Sequence, residues 1–150
     1  LSLHDALPIF VTYVKYGDKV YSPIIDRGEA DLILAFEMLE AMRALPYLKK
    51  GGKMIANTQK MNPMPVITGA MEYPENIEEK LSAKINLQAV DALSLAEKAG
   101  TIKAVNVVLI GLLAKSMDVD KNVWIDVIKE TVPEKFLDVN IKAFELGYEL

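Results

Sequence analysis

Ala30–Gln59, ADLILAFEMLEAMRALPYLKKGGKMIANTQ, decides the fold, because it reads as one β-α-β unit. Leu32 to Phe36 is an unbroken apolar run, the pattern of a strand buried on both faces of a parallel sheet. Glu37 opens a helical segment in which Met38, Leu39, Met42, Leu45 and Leu48 recur at three- and four-residue steps. Pro46 is expected to break or restart that helix. Lys49 and Lys50 suit the negative end of a helix dipole, and Gly51-Gly52 is read as a left-handed C-terminal cap. Lys53 to Asn57 is then the second strand. A crossover of about 30 residues is the usual join between parallel neighbours. Ligands of open parallel sheets gather at the carboxyl ends of the strands, which places Phe36-Glu37 and Asn57-Thr58 at the edge to watch.

Working outward toward the N-terminus, Phe10 to Lys15 is rich in β-branched and aromatic residues, and Gly17-Asp18 makes a turn into Lys19–Ser22. This predicts a hairpin, followed by a loop over 23–29. Residues 1–9 are read as a non-native leader. They contain His4-Asp5-Ala6-Leu7-Pro8-Ile9, which resembles the conceptual translation of a sequencing-library adapter. The only histidine, His4, falls inside that leader and is given no catalytic or metal role. The remainder, 10–150, is expected to be a single domain of a longer native chain.

Toward the C-terminus, Thr58 to Pro74 carries prolines 63, 65 and 74 and is read as a long loop, of the kind that is often functional. Its Met61, Met64 and Met71 suit either an adaptable contact patch or, the favoured reading, gap-filling in the core. A short helix over 75–83, a short strand or extended link over 84–87 and an amphipathic helix over 88–98 stopped by Gly100 follow. Ile102–Lys115 is apolar all round yet well short of the about 18 residues a membrane span needs, so it is expected to be a buried core helix. Asp118 or Asp120 caps the next helix, with an apolar stripe of Val123, Trp124, Val127 and Ile128. Thr131-Val132-Pro133-Glu134 reads as a capping box for a last helix facing the core through Leu137, Ile141 and Phe144 and ended by Gly147.

Composition excludes several chemistries. The 150 residues contain no cysteine, which removes disulfides, thiolate zinc sites, cysteine nucleophiles and self-contained iron–sulfur clusters. A net charge of −4 with no long basic run argues against nucleic-acid and anionic-membrane partners. No glycine-rich phosphate loop is present. Paired carboxylates such as Glu78-Glu79 and Asp118-Asp120 are read as solvated helix starts. What remains as ligand or subunit-interface candidates is Glu37, Asn57, Thr58 and Asn106. Glu37 either caps its helix or binds a ligand hydroxyl. Asn57 either ties down the loop after its strand or offers its amide to a ligand. Asn106, the single polar residue in the AVNVVLIGLL run, is expected to be buried and to pin a neighbouring loop.

The ordered string GDKVYSPII, GEADLILAFE, LEAMRALPYLKKGG and IANTQ, followed by PVITG, EYP, AVNVVLIG and VPEKFLDVNIKAFELG, resembles a known family. It is the gamma-subunit (domain III) family of 2-oxoacid:ferredoxin oxidoreductases, in its indolepyruvate branch, where this chain corresponds to the beta subunit. The resemblance covers residues 15–147 in order. It implies a three-layer α/β/α fold with a mostly parallel, Rossmann-like sheet. The family's N-terminal strand and G-x-G-G-Q-G loop are absent from this sequence. The resemblance also implies a non-catalytic, cytoplasmic subunit. Its catalytic alpha-subunit partner holds thiamine diphosphate, Mg2+ and iron–sulfur clusters, and meets ferredoxin and CoA. Such complexes decarboxylate a 2-oxoacid oxidatively to acyl-CoA. Two alternatives stand beside this reading: the gamma subunit of a pyruvate, 2-oxoglutarate or branched-chain enzyme, and a free-standing small-molecule-binding α/β domain.

Overall fold

The computed structural model describes residues 11–150, so the leader, His4 and the first hairpin residue, Phe10, lie outside the described residues. Three parallel strands form the sheet in the order β1 (Ala30–Ala35), β2 (Leu48–Asn57), β3 (Asn86–Val90). The β-α-β unit read from the sequence is therefore present, with α1 (Met38–Ala44) as its crossover helix. Pro46 does end that helix, in a single 3-10 turn over Leu45–Tyr47.

Side chains alternate across the sheet with period two, and each face is covered. Met54 and Ala56 of β2 and Ile33 of β1 join Met38 and Leu39 of α1 and Ile77 and Leu81 of α3 (Ile77–Ser82) on one side. Ile55 of β2 and Leu32 and Leu34 of β1 face the other side. There they meet α4 (Ala92–Ala99), α5 (Val105–Lys115) and α7 (Leu137–Tyr148). This is the expected three-layer α/β/α arrangement, and covering on both faces is why Leu32–Ala35 of β1 and Met54–Ala56 of β2 read as apolar runs.

The uniform hydropathy of α5 has a definite cause. Its Val108, Leu109 and Leu112 pack into the sheet-facing core, while Val107, Ile110 and Ala114 pack into a second cluster with Trp124 and Phe144. That second cluster also draws on α6 (Lys121–Thr131). The helix is thus held between two apolar surfaces. It crosses α7 closely: a methyl group on Gly147 would lie 1.9 Å from the Val108 carbonyl oxygen, and one on Gly111 would lie 2.2 Å from that of Phe144.

Several local expectations are corrected. The hairpin is absent: residues 11–29 form no strand, and Val11, Val14, Tyr16 and Tyr21 are exposed. Gly51-Gly52 does not cap α1. It lies within β2, in a bulge over 49–52 where the register against β1 jumps from Ala30–Leu48 to Leu32–Lys53. Gly51 has φ +82°, and Gly52 sits against the Ala30 and Asp31 carbonyls, where a Cβ would clash at 2.9 Å with Asp31 O. Residues 88–90 belong to β3, and α4 starts at Ala92 behind an Asp91 cap. The Thr131 capping box does not form: Thr131 closes α6 with its hydroxyl on the Val127 carbonyl, and a 3-10 turn over Glu134–Phe136 precedes α7. Gly147 lies inside α7 as a contact residue and does not end it. In α6, Ile128 is buried but Val123 and Val127 are exposed. Asp120, as expected, caps α6 through the Asn122 N–H at 2.7 Å.

Candidate functional site

The carboxyl ends of β1 and β2 bring two of the expected residues into the core, where polar side chains survive only when fully hydrogen-bonded. Glu37, 2% exposed, follows β1 in extended backbone and caps α1. Its Oε2 accepts from the Leu39 N–H at 2.7 Å and from the Glu40 N–H at 3.1 Å. Its Oε1 accepts from the Met61 N–H at 3.3 Å and from the Tyr73 hydroxyl. Burial, reinforced by the bond to Glu37, holds the Tyr73 phenol well above the usual tyrosine range, so at neutral pH it remains a donor. One carboxyl group thus starts a helix and pins both ends of the loop that runs from β2 toward α3.

Asn57, fully buried at the last position of β2, ties the three strand ends together. Its Nδ2 donates to the Phe36 carbonyl beyond β1 and to Gln59 Oε1, both at 3.3 Å. Its Oδ1 accepts from the Ala92 N–H, the first residue of α4 after β3, at 3.2 Å. Thr58 is half-buried, and its N–H extends the pairing to the Val90 carbonyl at 2.9 Å. Glu37, Asn57 and Thr58 therefore do share one edge. Asn106 does not belong with them. It is exposed in the first turn of α5, which overturns the expectation of a buried amide pinning a loop. The α5 face that looked continuous in sequence opens to solvent at its N-terminal turn.

Sequence reasoning left out Tyr73 and the backbone of Met61, the two groups through which Glu37 holds the loop. A single aromatic residue in a proline-punctuated loop was the only available signal. That loop is also less irregular than expected, since Met64–Ile67 forms one helical turn, α2. The core-filling reading of its methionines fails: Met61, Met64 and Met71 are 49%, 49% and 57% exposed. With Phe36 and Ile67 they make the loop and strand end strongly apolar toward solvent. A shallow cleft of about 430 Å³ beside them is lined by Lys60, Asn62, Tyr73, Pro74, Glu75 and Asn76.

Asn57→Ala should destabilise the fold by about 2 kcal/mol, because it strands the buried Ala92 N–H and removes the donor to the part-buried Phe36 carbonyl. Urea unfolding measures this, and a loss under about 0.5 kcal/mol would mean that Asn57 does not hold the strand ends.

Glu37 and Asn57 already have their polar atoms engaged by this chain's own groups, which does not suit them to hold a metal-bound diphosphate. The chain has no cysteine, and among the described residues no three His, Cys, Asp or Glu side chains gather closely enough to hold a metal ion. No helix among them is long and apolar enough to cross a membrane.

Comparison with known proteins agrees with this geometry. The family model described as pyruvate ferredoxin/flavodoxin oxidoreductase matches residues 9–150. The indolepyruvate oxidoreductase subunit IorB of Thermococcus kodakarensis is 40% identical over 145 residues, 91% of this chain and 71% of that protein. Those of Pyrococcus horikoshii and Archaeoglobus fulgidus are 41% and 38% identical over the same share of this chain, covering 71% and 70% of their own lengths. The crystal structure of the keto/oxoacid ferredoxin oxidoreductase gamma subunit from Geobacter sulfurreducens superposes with a TM-score of 0.60. That match covers 84% of this chain and 66% of the other, and at 23% identity it speaks for the fold alone. On the family match and these relatives together, the chain belongs to the pyruvate ferredoxin/flavodoxin oxidoreductase family.

Proposed function

We propose that this chain is a non-catalytic subunit of a 2-oxoacid:ferredoxin oxidoreductase, in the branch whose substrate is indolepyruvate or another arylpyruvate. The observation that carries the reading is the similarity of nine-tenths of the chain to subunits named for indolepyruvate oxidoreductase. The catalytic alpha subunit holds thiamine diphosphate, Mg2+ and iron–sulfur clusters in this reading, and it meets CoA and ferredoxin, in the cytoplasm. Thiamine diphosphate supplies the carbanion chemistry of decarboxylation when bound there. In this reading Glu37 and Asn57 hold none of those groups, because their polar atoms are engaged within this chain's own structure.

What the residues of this chain do is shape an edge. Glu37 and Asn57 spend their hydrogen-bonding capacity on helix α1, the loop over 58–73 and the three strand ends. They hold that loop so that Met61, Met64, Ile67 and Met71 face outward together with Phe36. Flexible thioethers adapt to a facing surface, which suits contact with the catalytic subunit. Glu37, Asn57 and Thr58 are accordingly scaffold for the interface and not direct ligands, while Asn106 stands apart from this edge.

The test is reduction of a viologen dye with indolepyruvate, CoA and thiamine diphosphate. The purified chain alone should show none, and the complex purified with its catalytic partner should turn over. Activity of the isolated chain would overturn the assignment. A panel of pyruvate, 2-oxoglutarate and branched-chain 2-oxoacids decides the substrate: faster turnover on any of them than on arylpyruvates would move the chain to another branch of the family.

A further inference from the structure

The opposite end of the sheet carries a different feature. The bulge at the head of β2 and the connection from α3 to β3 flank an open cleft of about 420 Å³ lined by residues 48–52, Ser82 and residues 84–86. Three of these lining residues are lysines, Lys49, Lys50 and Lys84, and none is an aspartate or glutamate. That is notable in a chain with net charge −4. Lys49 pairs with the exposed Asp31, whereas among the described residues Lys50 and Lys84 take part in no salt bridge. Ser82 and Asn86 add a hydroxyl and an amide as neutral hydrogen-bonding groups.

Lys49 and Lys50 stand on a fixed support. Gly51 turns the bulge through φ +82°, and Gly52 packs against the Ala30 and Asp31 carbonyls so closely that no side chain fits. The bulge is thereby held against β1, and the ammonium groups are offered from a preorganised backbone. The cleft at the carboxyl edge has a similar volume but includes Glu75 in its wall, so it lacks this charge bias.

We propose that the cleft formed by Lys49, Lys50, Lys84, Ser82 and Asn86 binds a small phosphorylated molecule through its phosphate or pyrophosphate group. Three lysines around one cleft attract a multivalent anion, and because Lys49 is paired with Asp31, Lys50 and Lys84 carry most of that attraction. The site lies at the amino ends of the strands, away from Glu37 and Asn57, and is independent of the subunit assignment.

Calorimetric titration of the full chain with inorganic pyrophosphate at low salt tests it. Saturable one-to-one binding is expected, with Kd about 1 mM or tighter. Lys50→Gln with Lys84→Gln should weaken it by about fivefold or more, while the Lys50→Arg, Lys84→Arg pair retains it. A control pair on other surfaces, Lys103→Gln with Lys129→Gln, should leave it unchanged, and circular dichroism melts confirm that each variant is folded. Non-saturable binding, an unchanged Kd in the Lys50/Lys84 glutamine pair, or equal weakening in the control pair would each overturn the proposal.

Discussion

Gly147→Ala is expected to destabilise the protein by about 3 kcal/mol, the upper end of the usual overpacking range. The added methyl group would sit 1.9 Å from the Val108 carbonyl oxygen, 2.8 Å from its carbon and 3.2 Å from its Cα, all backbone of the neighbouring helix. Backbone cannot rotate aside, so α5 and α7 must move apart. That movement opens the shared core around Leu109, Ala143 and Phe144. The sign is the informative part. Alanine is a better helix former than glycine by about 1 kcal/mol, so at a free position inside α7 the same change would stabilise the protein. Urea unfolding decides between the two, and an unchanged or raised midpoint would show that the helices do not cross at Gly147.

Leu109→Ala is expected to cost about 2–5 kcal/mol, the range for deleting a buried leucine from a core that cannot collapse around the cavity. Leu109 is fully buried in the cluster that joins α5 to β2 and α7. Lys49→Ala should stay within about 0.5 kcal/mol, since its ion pair with Asp31 is open to solvent at both ends. A thermal melt in which the lysine change is the more damaging would remove α5 from the centre of the core.

The features legible in the sequence were those set by long apolar patterns. The run Leu32–Ala35, the helix behind Glu37 and the return strand ending at Asn57 specified a parallel unit, because burial on both faces leaves few other readings. Its carboxyl edge followed from that topology, and with it the meeting of Glu37, Asn57 and Thr58. Glycine was harder to read. Gly51-Gly52 and Gly147 have the signature of helix stops, yet the first pair forms a bulge pinned to β1 and the second a helix crossing. Both roles depend on which backbone lies opposite, and local sequence does not carry that information. Asn106 failed for a related reason: an apolar neighbourhood in sequence did not place that residue inside, because it lies on the solvent side of the first turn of α5, between the half-buried Val105 and Val107. The hairpin over 10–22 rested on the Gly17-Asp18 turn and on β-propensity, which follows packing partners more than intrinsic preference. Tyr73 was invisible as a partner for Glu37, from which it is separated by 36 positions and a loop.

The central claim is that this polypeptide works only as a subunit. The most direct measurement is the solution mass of the chain mixed with the candidate catalytic subunit, by size-exclusion chromatography with light scattering at micromolar concentration. A single species of fixed stoichiometry containing both polypeptides is expected, with the loop over 58–73 protected from amide exchange relative to the isolated chain. Separate elution of two folded proteins, with exchange in that loop unchanged, would contradict it.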